Sequence, residues 1–174
     1  MTAQIREIIM INNDEYSMDN TPLESHLNKP PKRQSFNYRT TACWRGYRGS
    51  WNLDNDQLYL IHLKGNRYDI ESKTIKEVYI DYLFPNQEKV FASWFTGVLT
   101  VPDGKILTNW NIDNFSNYEH ILQLKFDKGI LIDFKSVDAI QKMVNDIQIK
   151  PSYGNSGFWK RTQNWFSEFR IIRF

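Results

Sequence analysis

The residue types that carry most enzyme chemistry are sparse in this chain. It has one cysteine, Cys43, and three histidines, His26, His62 and His120, no two of which share the i, i+4 helical spacing of a hydrolytic metal site. A single thiol cannot complete a cysteine-rich zinc site. There is no phosphate-cradling glycine run ending in Lys-Ser or Lys-Thr, no serine nucleophile elbow and no dinucleotide fingerprint. Catalytic groups can still converge from distant positions, so an enzyme with a dispersed active site stays among the readings. No catalytic residue, metal ligand or cofactor-binding residue is assigned, and no cofactor is expected. Cys43 lies beside Trp44 and Arg45, where a cation would favour the thiolate. The preferred reading is a small buried hydrophobe, because free cysteine is among the most buried residue types. His62 and His120 alternate in phase with apolar neighbours and read as hydrogen-bonded sheet histidines.

Recognition chemistry is better represented. Arg39, Arg45 and Arg48 interleave with Tyr38, Trp44, Tyr47 and Trp51. Guanidinium groups stacked on aromatic rings hold carboxylates or phosphates, and both residue types are enriched where binding energy concentrates. Arg39, Trp44, Arg45, Arg48 and Trp51 are therefore the candidate binding residues. The competing reading makes the aromatics core and the arginines its rim.

These residues need strands to hold them. Tyr47, Gly49, Trp51 and Leu53 recur at every second position, the alternation of a strand with one buried face. Asp54, Asn55 and Asp56 tolerate left-handed backbone, so the chain reverses there into Leu58 to Leu63, which is apolar throughout and is expected to be covered on both faces. Phe36 to Cys43 reads as a strand leading into this hairpin, bent at Gly46 or Gly49. Ile5 to Ile11 reads as a first strand, and Glu15 to Ser35, with Pro22, Pro30 and Pro31, as a long loop. Ser72 to Phe84 suits a short helix or turn ending before Pro85. Lys89 to Val101 is apolar on both parities, and Pro102-Asp103-Gly104 signals a turn. Tyr118 to Phe126 alternates cleanly, and Asp127-Lys128-Gly129 supports a reversal into Ile130 to Phe134. From Ser136 the period becomes helical through Val137, Ile140, Met143, Val144 and Ile147. A second, aromatic helix is expected over Phe158 to Phe169.

The expected fold class is α+β, mainly β: an antiparallel sheet or partly closed barrel built from hairpins, with one or two C-terminal helices packed on it. Residues 1–174 are expected to form a single domain, with 152–157 as a flexible link to the aromatic helix. At 174 residues and 41% hydrophobic content the chain can bury a core without metal or disulfide support. The net charge of +2 is too small to point to nucleic acid, which is not the expected partner. The C-terminal stretch is the basic end, where Lys150, Lys160, Arg161, Arg170 and Arg173 face the single Glu168. No apolar run approaches the ~18 residues of a membrane span. The unpaired cysteine and the N-terminal Met1 to Glu7, without a basic head or long apolar run, place the protein in the cytoplasm.

The strings Thr41-Ala42-Cys43-Trp44-Arg45-Gly46-Tyr47, Gly49-Ser50-Trp51, Leu58-Tyr59-Leu60, Leu83-Phe84-Pro85 and Val90-Phe91-Ala92-Ser93-Trp94-Phe95-Thr96-Gly97 resemble a family of uncharacterised bacterial proteins. The resemblance covers about Phe36 to Phe134 and implies no assigned activity. Gly49-Ser50-Trp51 also resembles the Gly-x-Trp opening strand of lipocalin-like barrels, which implies a barrel around a small apolar ligand. The first functional reading is a non-enzymatic protein-binding module with a protein partner, such as an immunity protein neutralising a bacterial toxin. The alternatives are the lipocalin-like barrel, with a cavity among Tyr47, Trp51, Tyr59, Trp94 and Phe95, and the dispersed enzyme site. The oligomeric state is left open.

Overall fold

The structure, a computed structural model, describes residues 3–29, 36–106 and 118–138. All of them belong to one compact unit spanning Met1–Lys142. The described residues are mainly strand: β1 (Glu7–Ile11), β2 (Asp14–Met18), β3 (Tyr47–Asp54), β4 (Gln57–Asp69), β5 (Thr74–Tyr79), β6 (Val90–Phe91), β7 (Gly97–Ile106), β8 (Tyr118–Asp127) and β9 (Ile130–Asp138). Two short helices, α1 (Glu24–Leu27) and α2 (Ile80–Leu83), interrupt them. The strands form one sheet in the order β2-β1-β3-β4-β9-β8-β7, and β5 and β6 also pair with β4. The expected antiparallel sheet is in fact mixed, because β1 runs parallel to β3 while the other pairs are antiparallel. A parallel neighbour requires a long crossover, and the chain between β2 and β3 supplies it.

Three tight reversals follow from local chemistry. Asn12 and Asn13, Asn55 and Asp56, and Lys128 and Gly129 all have positive φ, the conformation that two-residue hairpin turns require. The first of these carries β2 into the stretch expected to be loop. Its polar Asp14-Glu15-Tyr16-Ser17 hid a strand whose place is set by the ladder to β1 and by the fully buried Met18.

Burial is one-sided where the sequence reads as two-sided. In β4 the buried residues are Leu58 and Leu60, then Leu63 and Gly65. A bulge at this point sets Ser50 opposite His62 but Trp51 opposite Leu60, so Ile61 is the extra residue and the inward parity switches. An uninterrupted apolar run thus serves one buried face twice over. Val98 is likewise exposed while Leu99 and Val101 are buried. Pro102-Asp103-Gly104 lies within β7 rather than in a turn. The ladder slips there, Gly104 takes a φ of 80°, and the Lys105 amide donates to Glu119 Oε2.

Ser72 to Phe84, expected as a short helix or turn, is instead strand through Tyr79, with one turn of helix only from Ile80 to Leu83. Phe36 to Cys43 is not strand. Its bonds are the turns Cys43 N–H to Thr40 O and Gly46 N–H to Cys43 O, while the Asn37 amide donates to Asn66 O. Residues 136–138, expected to open a helix, finish β9 by pairing with β8. The remainder of that helix and the aromatic one lie outside the described residues.

The ladder that joins the two halves of the sheet between β4 and β9 is very short. β4 and β9 share the single pair Gln57 and Ile130, reinforced by Leu58 N–H to Gly129 O (2.9 Å), Leu131 N–H to Asp56 O (2.7 Å) and Gly129 N–H to Phe95 O (2.7 Å). Gly129 has a φ of 81°, and a Cβ there would lie 2.6 Å from Ala92 O. Gly129→Ala is therefore expected to lose more than the ~1–2 kcal/mol of a left-handed residue with a side chain. Urea denaturation checks this; a loss below about 0.5 kcal/mol would mean that the junction relaxes freely.

Candidate functional site

Two of the five candidate binding residues converge, and they do so on an acid the sequence reading did not select. Glu7 opens β1 and shares its parity with the buried Ile9 and Ile11, so its side chain faces inward and has no exposed surface. The parallel pairing of β1 with β3 brings it against Gly49 and Trp51. Trp51 Nε1–H donates to Glu7 Oε2 at 2.6 Å, and the Gly49 amide also donates to this carboxylate. A Cβ on Gly49 would sit 2.9 Å from both Glu7 Oε2 and Trp51 Nε1. The glycine that marks a close approach in the strand pattern thus makes room for a carboxylate–indole pair.

Arg45 closes the other side. Its Nε stands 3.4 Å from Glu7 Oε1, near enough for an ion pair but without hydrogen-bond alignment, and neither atom has a hydrogen-bond partner. One terminal nitrogen of the guanidinium donates to Ile5 O at 2.7 Å, and the group lies 5.5 Å from the centre of the Tyr47 ring. The Tyr47 hydroxyl donates to Glu24 Oε1 at 3.2 Å, which ties α1 to the cluster.

Burial is the main force on Glu7 and raises its pKa from 4.5 to about 7. The Trp51 hydrogen bond, the Arg45 charge and the Gly49 amide pull it down, and the Glu24 charge adds a smaller upward push. The Tyr47 hydroxyl is held far above its ordinary range, first by burial and then by Glu7 and Glu24. This constellation can take up a proton near neutral pH. Glu7 and Trp51 are wholly enclosed among the described residues, and the Arg45 side chain is 14% exposed.

The other three candidates face solvent. Trp44 is 70% exposed, and Arg39 and Arg48 are exposed as well. Trp44 and Arg45 are neighbours in a turn rather than a strand, so alternation gave no guide to which would point inward. The loop itself is well tied: the Trp44 amide donates to Gln4 Oε1 (3.0 Å), Gln4 Nε2 donates to Thr41 O (2.8 Å), and Ile5 N–H donates to Ala42 O (2.7 Å). Tyr38, beside Arg39, is 69% exposed. Arg39 lies close enough to Lys64 and Glu77 to act on both charges, and Arg48 is paired across the ladder with Lys64.

The residues suggested to line a ligand cavity are distributed differently. Trp51 packs inward with Leu60, whereas Tyr59 takes the opposite face of β4, against Phe91 and beneath Lys89. Trp94 stacks on Phe84 beside His26, and Phe95 packs on Phe126. Cys43 is half-buried, its thiol 3.3 Å from Tyr47 O. His62 is exposed on β4 near Tyr79. A depression of about 230 Å³ is lined by Ala3, Gln4, Arg6 and Asp19, with Arg6 and Asp19 paired at 2.8 Å. Among the described residues no group of three or more His, Cys, Asp or Glu side chains is placed to hold a metal ion. No helix among them is long and apolar enough to cross a membrane.

No family model, curated protein or solved structure matches the chain.

Proposed function

We propose that this protein is a non-enzymatic protein-binding module, and that an immunity protein neutralising a bacterial toxin is the form this takes. The observation that carries the reading is Trp44, a tryptophan 70% exposed on a loop whose backbone is held by Gln4, Ile5 and the turn bonds of Cys43 and Gly46. An indole held out from an ordered loop loses little freedom on binding, which is the property of an interface anchor. Tyr38 adds a second exposed ring, and Arg39, Arg48 and Lys64 add a cationic strip moderated by Glu77. The complementary partner surface presents acid to Arg39 and Arg48 and an apolar recess to the indole.

Asn20 supports the finer reading of a partly closed barrel. Its side chain donates to Val98 O and accepts from the Thr100 amide, so it bridges from the end of β2 to β7, the two ends of the strand order. The unpaired Cys43 fits a reducing compartment such as the cytoplasm.

The test is affinity capture from the native lysate with wild-type protein and Trp44→Ala. A stoichiometric protein partner is expected, weakened by roughly 30-fold (about 2 kcal/mol) in the variant at unchanged thermal midpoint. Recovery of the protein alone, or with a bound small molecule, would sink the reading.

A further inference from the structure

Strand β5 pairs with β4 on one side only, through the register Lys64 with Tyr79 to Asp69 with Thr74. Which backbone groups that leaves outward can be read from the neighbouring bonds. On β4, Asn66 N–H donates to Gly46 O, Asn66 O accepts from Asn37, and the Tyr68 amide donates to Asn37 Oδ1. The even-numbered residues of β4 therefore direct their backbone groups away from β5, and Gly65, Arg67 and Asp69 direct theirs toward it. Their partners Val78, Lys76 and Thr74 close that ladder. The alternation of an antiparallel pair then turns the N–H and C=O groups of Ile75 and Glu77 and the N–H of Tyr79 to the far side, the Tyr79 carbonyl standing at the start of α2. Among the described residues no strand or hydrogen bond takes up that side. Ile75 is 40% and Tyr79 45% exposed, and both flank Glu77 on one face.

A second copy of the chain is a poor occupant. The two antiparallel registers that give greatest overlap and match the outward groups set either Glu77 against Glu77 or Lys76 against Lys76. Like charges directly opposite are destabilising. The Glu77 carboxylate, 2.9 Å from Lys64 Nζ and accepting from the Tyr79 hydroxyl, is instead placed to receive a cation from a different strand.

We propose that the outer edge of β5 accepts an extended segment of a partner protein as an added antiparallel strand. That segment carries a basic residue opposite Glu77 and apolar residues two positions to either side, against Ile75 and Tyr79. Main-chain bonds to Ile75, Glu77 and Tyr79 hold it, and the alternate side chains select it. This rests on the reading of the protein as a binding module and supplies its mode of contact.

The probe is a threonine heptapeptide with valine at positions two and six and lysine at position four, titrated into the full-length protein and followed by amide hydrogen exchange. Slowed exchange at Ile75, Glu77 and Tyr79 is expected. Affinity should fall about tenfold with Glu77→Pro, which removes an outward N–H while leaving the β4 ladder its donors. Glu77→Ala, which keeps the N–H, should bind more tightly than Glu77→Pro. A peptide N-methylated at the pairing residues makes the same test without altering the protein. Absence of protection at those three amides overturns the proposal. So does peptide binding that is indifferent to both Glu77→Pro and N-methylation, or protection of the same amides by self-association without peptide. Partner capture that is lost with Trp44→Ala while the peptide fails would remove the β5 edge and keep the module. Protection by peptide with no partner captured would do the reverse.

Discussion

Trp51→Ala is expected to abolish most of the stability of the protein. Removing a fully buried tryptophan costs about 3–5 kcal/mol in lost contacts and residual cavity. The side chain also supplies the 2.6 Å hydrogen bond to Glu7 Oε2, and stranding that enclosed acceptor adds a further ~1–3 kcal/mol. Against a total of ~5–15 kcal/mol for an ordinary domain, the sum leaves a chain that is unfolded or nearly so at room temperature. Trp51→Phe separates the two contributions, because it keeps most of the ring volume and removes only the donor. Its loss should fall near the hydrogen-bond share alone. Urea titrations of the three proteins at neutral pH make the comparison; an alanine variant within about 2 kcal/mol of wild type would show that Trp51 is not central to the core.

Glu7→Gln is expected to change how stability depends on pH. The unfolded chain releases the Glu7 proton near 4.5, whereas the folded protein holds it to about 7 because the side chain is buried. Between those values the folded state binds a proton that the unfolded state has lost, so this group makes stability fall as pH rises, and its effect levels off above about 7. At about 1.4 kcal/mol per pH unit the contribution across the window is about 3 kcal/mol. Glutamine has no proton to lose and still accepts from Trp51. The stability of wild type relative to Glu7→Gln should therefore decline by about 3 kcal/mol from pH 4.5 to 7.5. His26, whose pKa is lowered mainly by burial, pushes stability the other way, but it is common to both proteins and cancels in the difference. A difference independent of pH would mean that Glu7 is ionised throughout.

The carboxylate has a cation beside it and its pKa is still raised to about 7, which decides between two effects. Arg45 stabilises the charge, but Glu7 loses all of its water, and the Nε of Arg45 approaches without aligning as a donor. Removing an ion from water outweighs a contact of that geometry. The same enclosure argues against catalysis at this site, since a general base must reach the proton it abstracts. Trp44, Tyr38, Arg39 and Arg48, by contrast, are turned outward.

What the sequence determined by itself is the structure that spans a few residues. Asp54 to Gln57 and Asp127 to Ile130 are legible as reversals because Asn, Asp and Gly accept positive φ, and both are hairpins. The alternation of Tyr47, Gly49 and Trp51 reads correctly as an inward face because strand geometry fixes it residue by residue. A signal for Glu7 was also present, as a carboxylate on the inward parity of Ile9 and Ile11. Tertiary structure alone decided what that carboxylate meets: its partner indole lies 44 positions away, across a parallel pairing of β1 with β3 that no local pattern announces. It also decided that Ile61 is a bulge, that β2 is a strand, and that Arg45 turns inward while Trp44 turns out. Turn chemistry and alternation are energies of neighbours in the chain. Choice of strand partner is an energy of residues brought together only when the sheet closes over its core.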